Sequence, residues 1–241
     1  MDKSSSIKLI HSGTPDDFIN VLTEEVKNHS AVNHEYLKRL GNGDFKNNYE
    51  ALRDYAHQYS FYSMWFPEYI RSVIGSTNDK NIIEPLNDNL QEELGDEESN
   101  HIPHTELFAD FKSKIGIDDE YKKNNPMSLT VKIWRELFLQ KCKSDTTAIG
   151  VGAISVATEY IVPDIYPYII SCIENHTDFG KEESFFFRLH VECDVEHANE
   201  AIEVAKYLCS DPINREAIRF GVFSSLNLRN SFWDNQLARS I

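Results

Sequence analysis

Apolar positions recur along most of this chain at helical spacing, and strand-like alternation is rare. Only 10 Gly and 8 Pro punctuate the pattern, so the segments between them are long. The stretch "TPDDFINVLTEEVKN" offers Thr14 as a cap, Pro15 at the first helical position and acids in the first turn. The pattern predicts that this helix runs to about residue 40, where "GNGD" stops it. A second helix is predicted over about 46–74, kinked by Pro67 within "SMWFPEYI". A third covers about 80–94 and resumes near His104 after "GDEESNHIPH", while "IDDEYKKNNP" reads as a polar connection. Helices over about 129–142, 146–175 (broken or bent at Pro163) and 182–208 follow, and "DPINREAIRFGVFSSLNLRNSFWDNQLA" closes the chain. The expectation is an all-α bundle of about seven helices forming one domain over 1–241, with no repeat and no low-complexity tract.

Composition narrows the function classes. Hydrophobic residues make up 41% of 241, enough for one sizeable core. The net charge is −15 and the basic residues are scattered, which argues against a nucleic-acid partner. The pattern predicts no apolar run long enough to span a bilayer, and the N-terminus lacks a signal-peptide core, so a soluble cytoplasmic protein without a membrane partner is expected. Cys142, Cys172, Cys193 and Cys209 show no CxxC spacing and read as small buried side chains.

Candidate chemistry centres on "FRLHVECDVEHANEA". His190, Asp194 and His197 stand at offsets 0, 4 and 7, so the second and third fall about 40° and −20° from the first around an ideal helix. Neutral nitrogen combined with charged oxygen suits iron, manganese or zinc. The alternative is a half-exposed helix with two incidental histidines. Two other segments supply matching donors. Glu159 sits in the apolar run "AISVATEYIVPDIYPYI", where a carboxylate is expensive to bury unless paired or metal-bound, and no Lys or Arg lies between Lys143 and Lys181. "DNLQEELGDEESNHIPHTELFADF" offers Glu93, Glu97, His101 and His104, and spacing alone does not choose among them.

Taken in order, these segments resemble the haem-oxygenase-like fold that includes the TENA/THI-4 and PqqC proteins. Within it they are most similar to the CADD-like proteins and haem-oxygenase-like dimetal oxidases. "DNLQEE…HTELFADF", "TEYIVP" and "HVECDVEH" resemble that group's three ligand-bearing elements, and "YAHQYSFYSMWFPEYI" its second helix. The resemblance implies Glu93, His104, Glu159, His190, Asp194 and His197 as ligands, with Glu97 an alternative to Glu93 and His101 in contention. Three carboxylates and three neutral imidazoles carry −3 against +4 from two divalent ions, leaving a slightly positive centre.

The activity so implied is O2 activation at a di-iron or iron–manganese centre, fed by an external reductant. The substrate would be a small molecule or the protein itself, as in p-aminobenzoate formation for folate from the protein's own tyrosine. Tyr36 falls where that tyrosine would lie, and Tyr55 and Tyr59 could relay electrons. The lysine that such relatives carry after the middle glutamate is missing from "PDIYPYIIS". Three competitors stand beside this reading: a metal-free TENA/PqqC-type enzyme, a protein-interaction module, and a haem protein using His29 or His34. A homodimer is compatible with all of them.

Overall fold

The computed structural model describes residues 5–95 and 102–241, apart from the side chains of 192–197. Among these residues all regular structure is helical. A short α1 (Ser6–Leu9) precedes α2 (Pro15–Lys27), α3 (Glu35–Asn42), α4 (Asn48–Ser63), α5 (Phe66–Ile74), α6 (Lys80–Leu94) and α7 (His104–Lys114). Then come α8 (Asp119–Asn124), α9 (Leu129–Cys142), α10 (Thr147–Val151), α11 (Val162–His176), α12 (Phe185–Leu208) and α13 (Pro212–Arg239).

Local chemistry explains both the agreements and the differences with the sequence pattern. Thr14 caps α2 through a capping box: its Oγ1 accepts from the Asp17 amide at 3.1 Å, and Asp17 Oδ2 accepts from the Thr14 amide at 2.9 Å. Phe18, Leu22 and Val26 recur every fourth residue on that helix and are fully buried. The predicted first helix is two helices, because His34 restarts the chain: its Nδ1 accepts from the Tyr36 amide at 3.0 Å as the cap of α3. The second prediction also divides, between α4 and α5. Pro67 lies in the first turn of α5, where its missing N–H costs nothing, so the chain turns before the proline rather than at it. The supposed polar connection contains α8, capped by Asp118.

The break in the 146–175 segment falls before Pro163. Residues Gly152–Val156 widen into a π turn and Glu159–Ile161 tighten into a 3₁₀ turn before α11 begins. Thr158 Oγ1 donates to the Ala153 carbonyl at 3.0 Å and closes this irregular stretch. The run Thr147–His176 is, contrary to the sequence expectation, long and apolar enough to cross a membrane by length and composition. However, 78% of its most apolar window is buried inside the molecule, so its apolarity is that of a core element.

Close backbone approach fixes this stretch against α13. A Cβ on Gly152 would lie 2.5 Å from the Ile218 carbonyl oxygen, and one on Gly221 would collide with the carbonyl oxygen of Ile149. Only glycine permits that crossing. α12 packs against α6, α7 and the continuous stretch formed by the 3₁₀ turn and α11, so three separate stretches converge on one helix.

Candidate metal centre

Three of the expected donors meet where α6, α7 and α12 converge. Glu93 is in the last turn of α6, His104 is the first residue of α7, and His190 lies in the second turn of α12. All three are at most 9% exposed. His104 Nδ1 is 3.1 Å from Glu93 Oε1, His190 Nε2 is 4.0 Å from the same oxygen, and the imidazole centroids are 4.5 Å apart. One ligand atom from each residue lies within 4.8 Å of the other two. Glu93 also stands at the carbonyl end of α6, an electronegative place that favours a cation.

The tautomer of His190 is set by its surroundings. Its Nδ1 is 2.8 Å from the Phe186 carbonyl oxygen, which can only accept, so Nδ1 carries the proton. Nε2 is left with its lone pair toward Glu93, the arrangement metal-bound histidines adopt. A carboxylate and two imidazoles form a donor set that fits iron.

Glu159 opens the 3₁₀ turn, is 6% exposed, and accepts from Asn89 Nδ2 at 3.4 Å. It lines the same pocket as Glu93, His104 and His190. That pocket encloses about 500 Å³ including its open side, and its other walls are mostly aromatic: Tyr59, Tyr62, Phe66, Phe108, Tyr166 and Phe186. Tyr62 donates to Thr158 Oγ1 across 3.3 Å, which ties the pocket wall to the turn that carries Glu159.

The backbone of Asp194 and His197 belongs to α12, but their side chains lie outside the described residues, as do Glu97 and His101. Tyr36 does not line the pocket. It is fully buried, stacks on Trp233 at 5.7 Å and donates to the Ala51 carbonyl at 3.2 Å. Sequence reasoning missed Tyr166, whose hydroxyl is 3.2 Å from that of Tyr59 and whose ring is 5.8 Å from that of His190. Its place seven residues after Glu159 was a usable signal.

The haem reading finds its histidines already engaged. His34 uses both ring nitrogens, on the Tyr36 amide and on Asp234 Oδ1 at 3.1 Å. His29 Nδ1 accepts from the Ala31 amide at 3.1 Å. Burial pushes the thiols of Cys142, Cys172 and Cys209 up to about 12, which removes them as nucleophiles at neutral pH. Cys193 is outside the described side chains.

An all-helical bundle with a buried carboxylate–imidazole group opening on an aromatic pocket defines a haem-oxygenase-like protein with an iron-type site. The chain belongs to the family of iron-containing redox enzymes, which matches it over residues 53–230, and it is an oxidative enzyme. Among curated relatives it is 26% identical over 200 residues to the 4-aminobenzoate synthase of Chlamydia trachomatis, covering 83% of this chain and 84% of that one. It is 23% identical over 223 residues to the 4-chloro-allylglycine synthase of Streptantibioticus cattleyicolor, covering 90% and 82%. Among solved structures it superposes on a TenA homologue from Pseudomonas syringae with a TM-score of 0.76 at 15% identity, covering 99% of both chains. A CADD-like protein from Nostoc punctiforme gives a TM-score of 0.74 at 16% identity, covering 92% of this chain and 98% of that one. These two structures share the fold.

Proposed function

We propose that this chain is a non-haem dimetal oxidase that activates O2 at an Fe/Fe or Fe/Mn centre, drawing electrons from an external reductant. The ligands would be Glu93, His104, Glu159, His190, Asp194 and His197. The observation that carries the reading is the buried group of Glu93, His104 and His190 facing an aromatic-walled pocket.

Iron bound there would supply the electrons for reducing dioxygen. The chain's own residues do the rest. The Phe186 carbonyl holds the His190 proton on Nδ1 and turns Nε2 toward Glu93. The aromatic walls exclude water and favour a small substrate with apolar surface. The Tyr62–Thr158–Ala153 hydrogen bonds hold the turn that presents Glu159. Tyr166 stands beside His190 and its hydroxyl meets that of Tyr59, so the pocket wall carries two oxidisable phenols.

The test is metal content and oxygen uptake. Protein grown with iron and manganese should carry about two transition-metal ions per chain, and His190→Ala should lose them with the uptake. Stoichiometrically metal-free protein after iron supply would end the proposal. The name of the Chlamydia relatives, 4-aminobenzoate synthase, favours one product; Tyr36 as its ring source is the proposal that the family resemblance adds. Product analysis together with the intact mass of the protein decides it: product formed while Tyr36 is unchanged excludes that source.

A further inference from the structure

The pocket that holds Glu93, His104 and His190 has a mouth unlike its walls. Its lining residues are buried except for Ser63 and Met64, where α4 gives way to α5, and Thr105 in the first turn of α7. Among the described residues the pocket therefore opens between that junction and α7. Met64 is 38% exposed, and its sulfur accepts a hydrogen bond from Lys112 Nζ at 3.6 Å. Thr105, Phe108 and Lys112 stand at offsets 0, 3 and 7 on α7, so they share one stripe of that helix. The first two line the pocket and Lys112 continues the stripe outward.

Lys112 lacks a counter-ion in a chain of net charge −15. It is half-buried, and among the described residues its only hydrogen-bond partner is the Met64 thioether, a weak acceptor. Two residues on, Lys114 pairs with both Asp110 and Glu182, at 3.2 and 2.9 Å. Burial, and then the nearby charge of Lys122, hold the Lys112 ammonium below the usual lysine pKa. Ser63 Oγ is enclosed at the same mouth and has no hydrogen-bond partner among the described residues. An ammonium and a hydroxyl, both short of an acceptor, thus meet at one opening. Leaving such groups unsatisfied is costly, and a group that accepts from them recovers that cost.

We propose that the substrate is a small carboxylic acid with an aromatic or other apolar body, bound with its carboxylate at the mouth on Lys112 and Ser63. The inference deepens the oxidase reading above and rests on it for the reaction. The carboxylate displaces the Met64 thioether from the ammonium, and its two oxygens serve both donors. Met64 is the gate, since its unbranched, soft side chain repacks at little cost. The apolar body runs inward along α7 between Phe108, Phe66 and Phe186. From His104 to Lys112 the helix rises about 12 Å, so the end of the substrate nearer the imidazoles lies several bonds from its carboxylate.

The experiment is equilibrium dialysis of metal-free protein at pH 7 against 4-phenylbutyrate, the neutral 4-phenylbutanamide and the cationic 4-phenylbutylamine. Iron uptake by each preparation is measured beside it. The acid should bind saturably and more tightly than the amide, and the amine least of all. Lys112→Met keeps the aliphatic stem and should weaken the acid about 10–100-fold while leaving the amide unchanged, which also reports that the pocket has folded. Lys112→Arg should restore the acid. Thr105→Trp, which plugs the mouth, should exclude acid and amide alike. Met64→Ala should bind the acid at least as tightly as the parent, since the thioether no longer competes for the ammonium. An acid held no more tightly than the amide, or indifferent to Lys112→Met, or bound only when iron is present, overturns the inference and leaves the metal reading standing. Protein that takes up no iron yet holds the acid through Lys112 ends the metal reading alone.

Discussion

Replacing Glu93 by glutamine separates a metal ligand from a structural ion-pair partner. Glu93 is 9% exposed and sits 3.1 Å from His104 Nδ1. Glutamine keeps the volume and an amide oxygen that still accepts from that ring, and removes only the charge. If Glu93 existed to pair with a protonated histidine, losing the charge would leave a buried cation and cost roughly 3–5 kcal/mol. In a chain of 241 residues that lowers Tm by about 6–20 °C, at roughly 2–4 °C per kcal/mol. If it exists to hold iron, the metal-free protein at pH 8, where ordinary imidazoles are neutral, loses only an expensive buried charge. Its Tm should then stay the same or rise. Changes in groups that merely orient a ligand cost about 10–100-fold in metal affinity, so loss of a ligand charge should cost at least about 100-fold. The assays are thermal unfolding of metal-free protein and competitive iron titration. A Glu93→Gln protein that binds iron as tightly as the parent, while its metal-free form melts many degrees lower, would refute the reasoning.

Other expected outcomes follow from the packing and the charges. Gly221→Ala should destabilise the protein by about 1–3 kcal/mol in denaturant titration, because the new methyl meets the Ile149 carbonyl where α13 crosses α10; an unchanged midpoint would refute the close approach. Glu174, gripped by Arg188 through two 2.6 Å contacts and by Ser184, has its carboxyl held below the ordinary range. Its contribution is therefore present above the unfolded carboxyl pKa and lost as pH falls through the lower folded value; Glu174→Gln should remove that acid-limb component from a stability–pH profile. Cys142, Cys172 and Cys209, buried with thiols pushed up to about 12, should resist iodoacetamide at pH 8 in folded protein and label only on unfolding, as peptide mapping will show.

Most helices were legible because local signals sufficed. Asp79 and Gly95 bracket α6, Ser128 caps α9, and Thr14 with Asp17 opens α2. The breaks were less legible, since neither 28–34 nor 64–65 holds a Gly or Pro to mark the change of direction. His34 read as a possible axial ligand, whereas its ring is spent on a helix cap and on Asp234, 200 residues away. The π and 3₁₀ turns around Glu159 have no local signature beyond Pro163; the approach of Gly152 to Ile218 is what demands them.

By itself the sequence determined the helical class, the caps, and a short roster of buried-type acids and histidines, because periodicity, capping and the cost of an isolated charge act over a few residues. Only the tertiary structure decided that Glu93, His104 and His190 share one space with Glu159, that Tyr166 rather than Tyr36 stands beside the imidazole, and that Arg229 lies among aromatic rings. Those are relations between segments far apart in the sequence. They are fixed by how whole helix faces pack against one another, which no local stretch of the chain encodes.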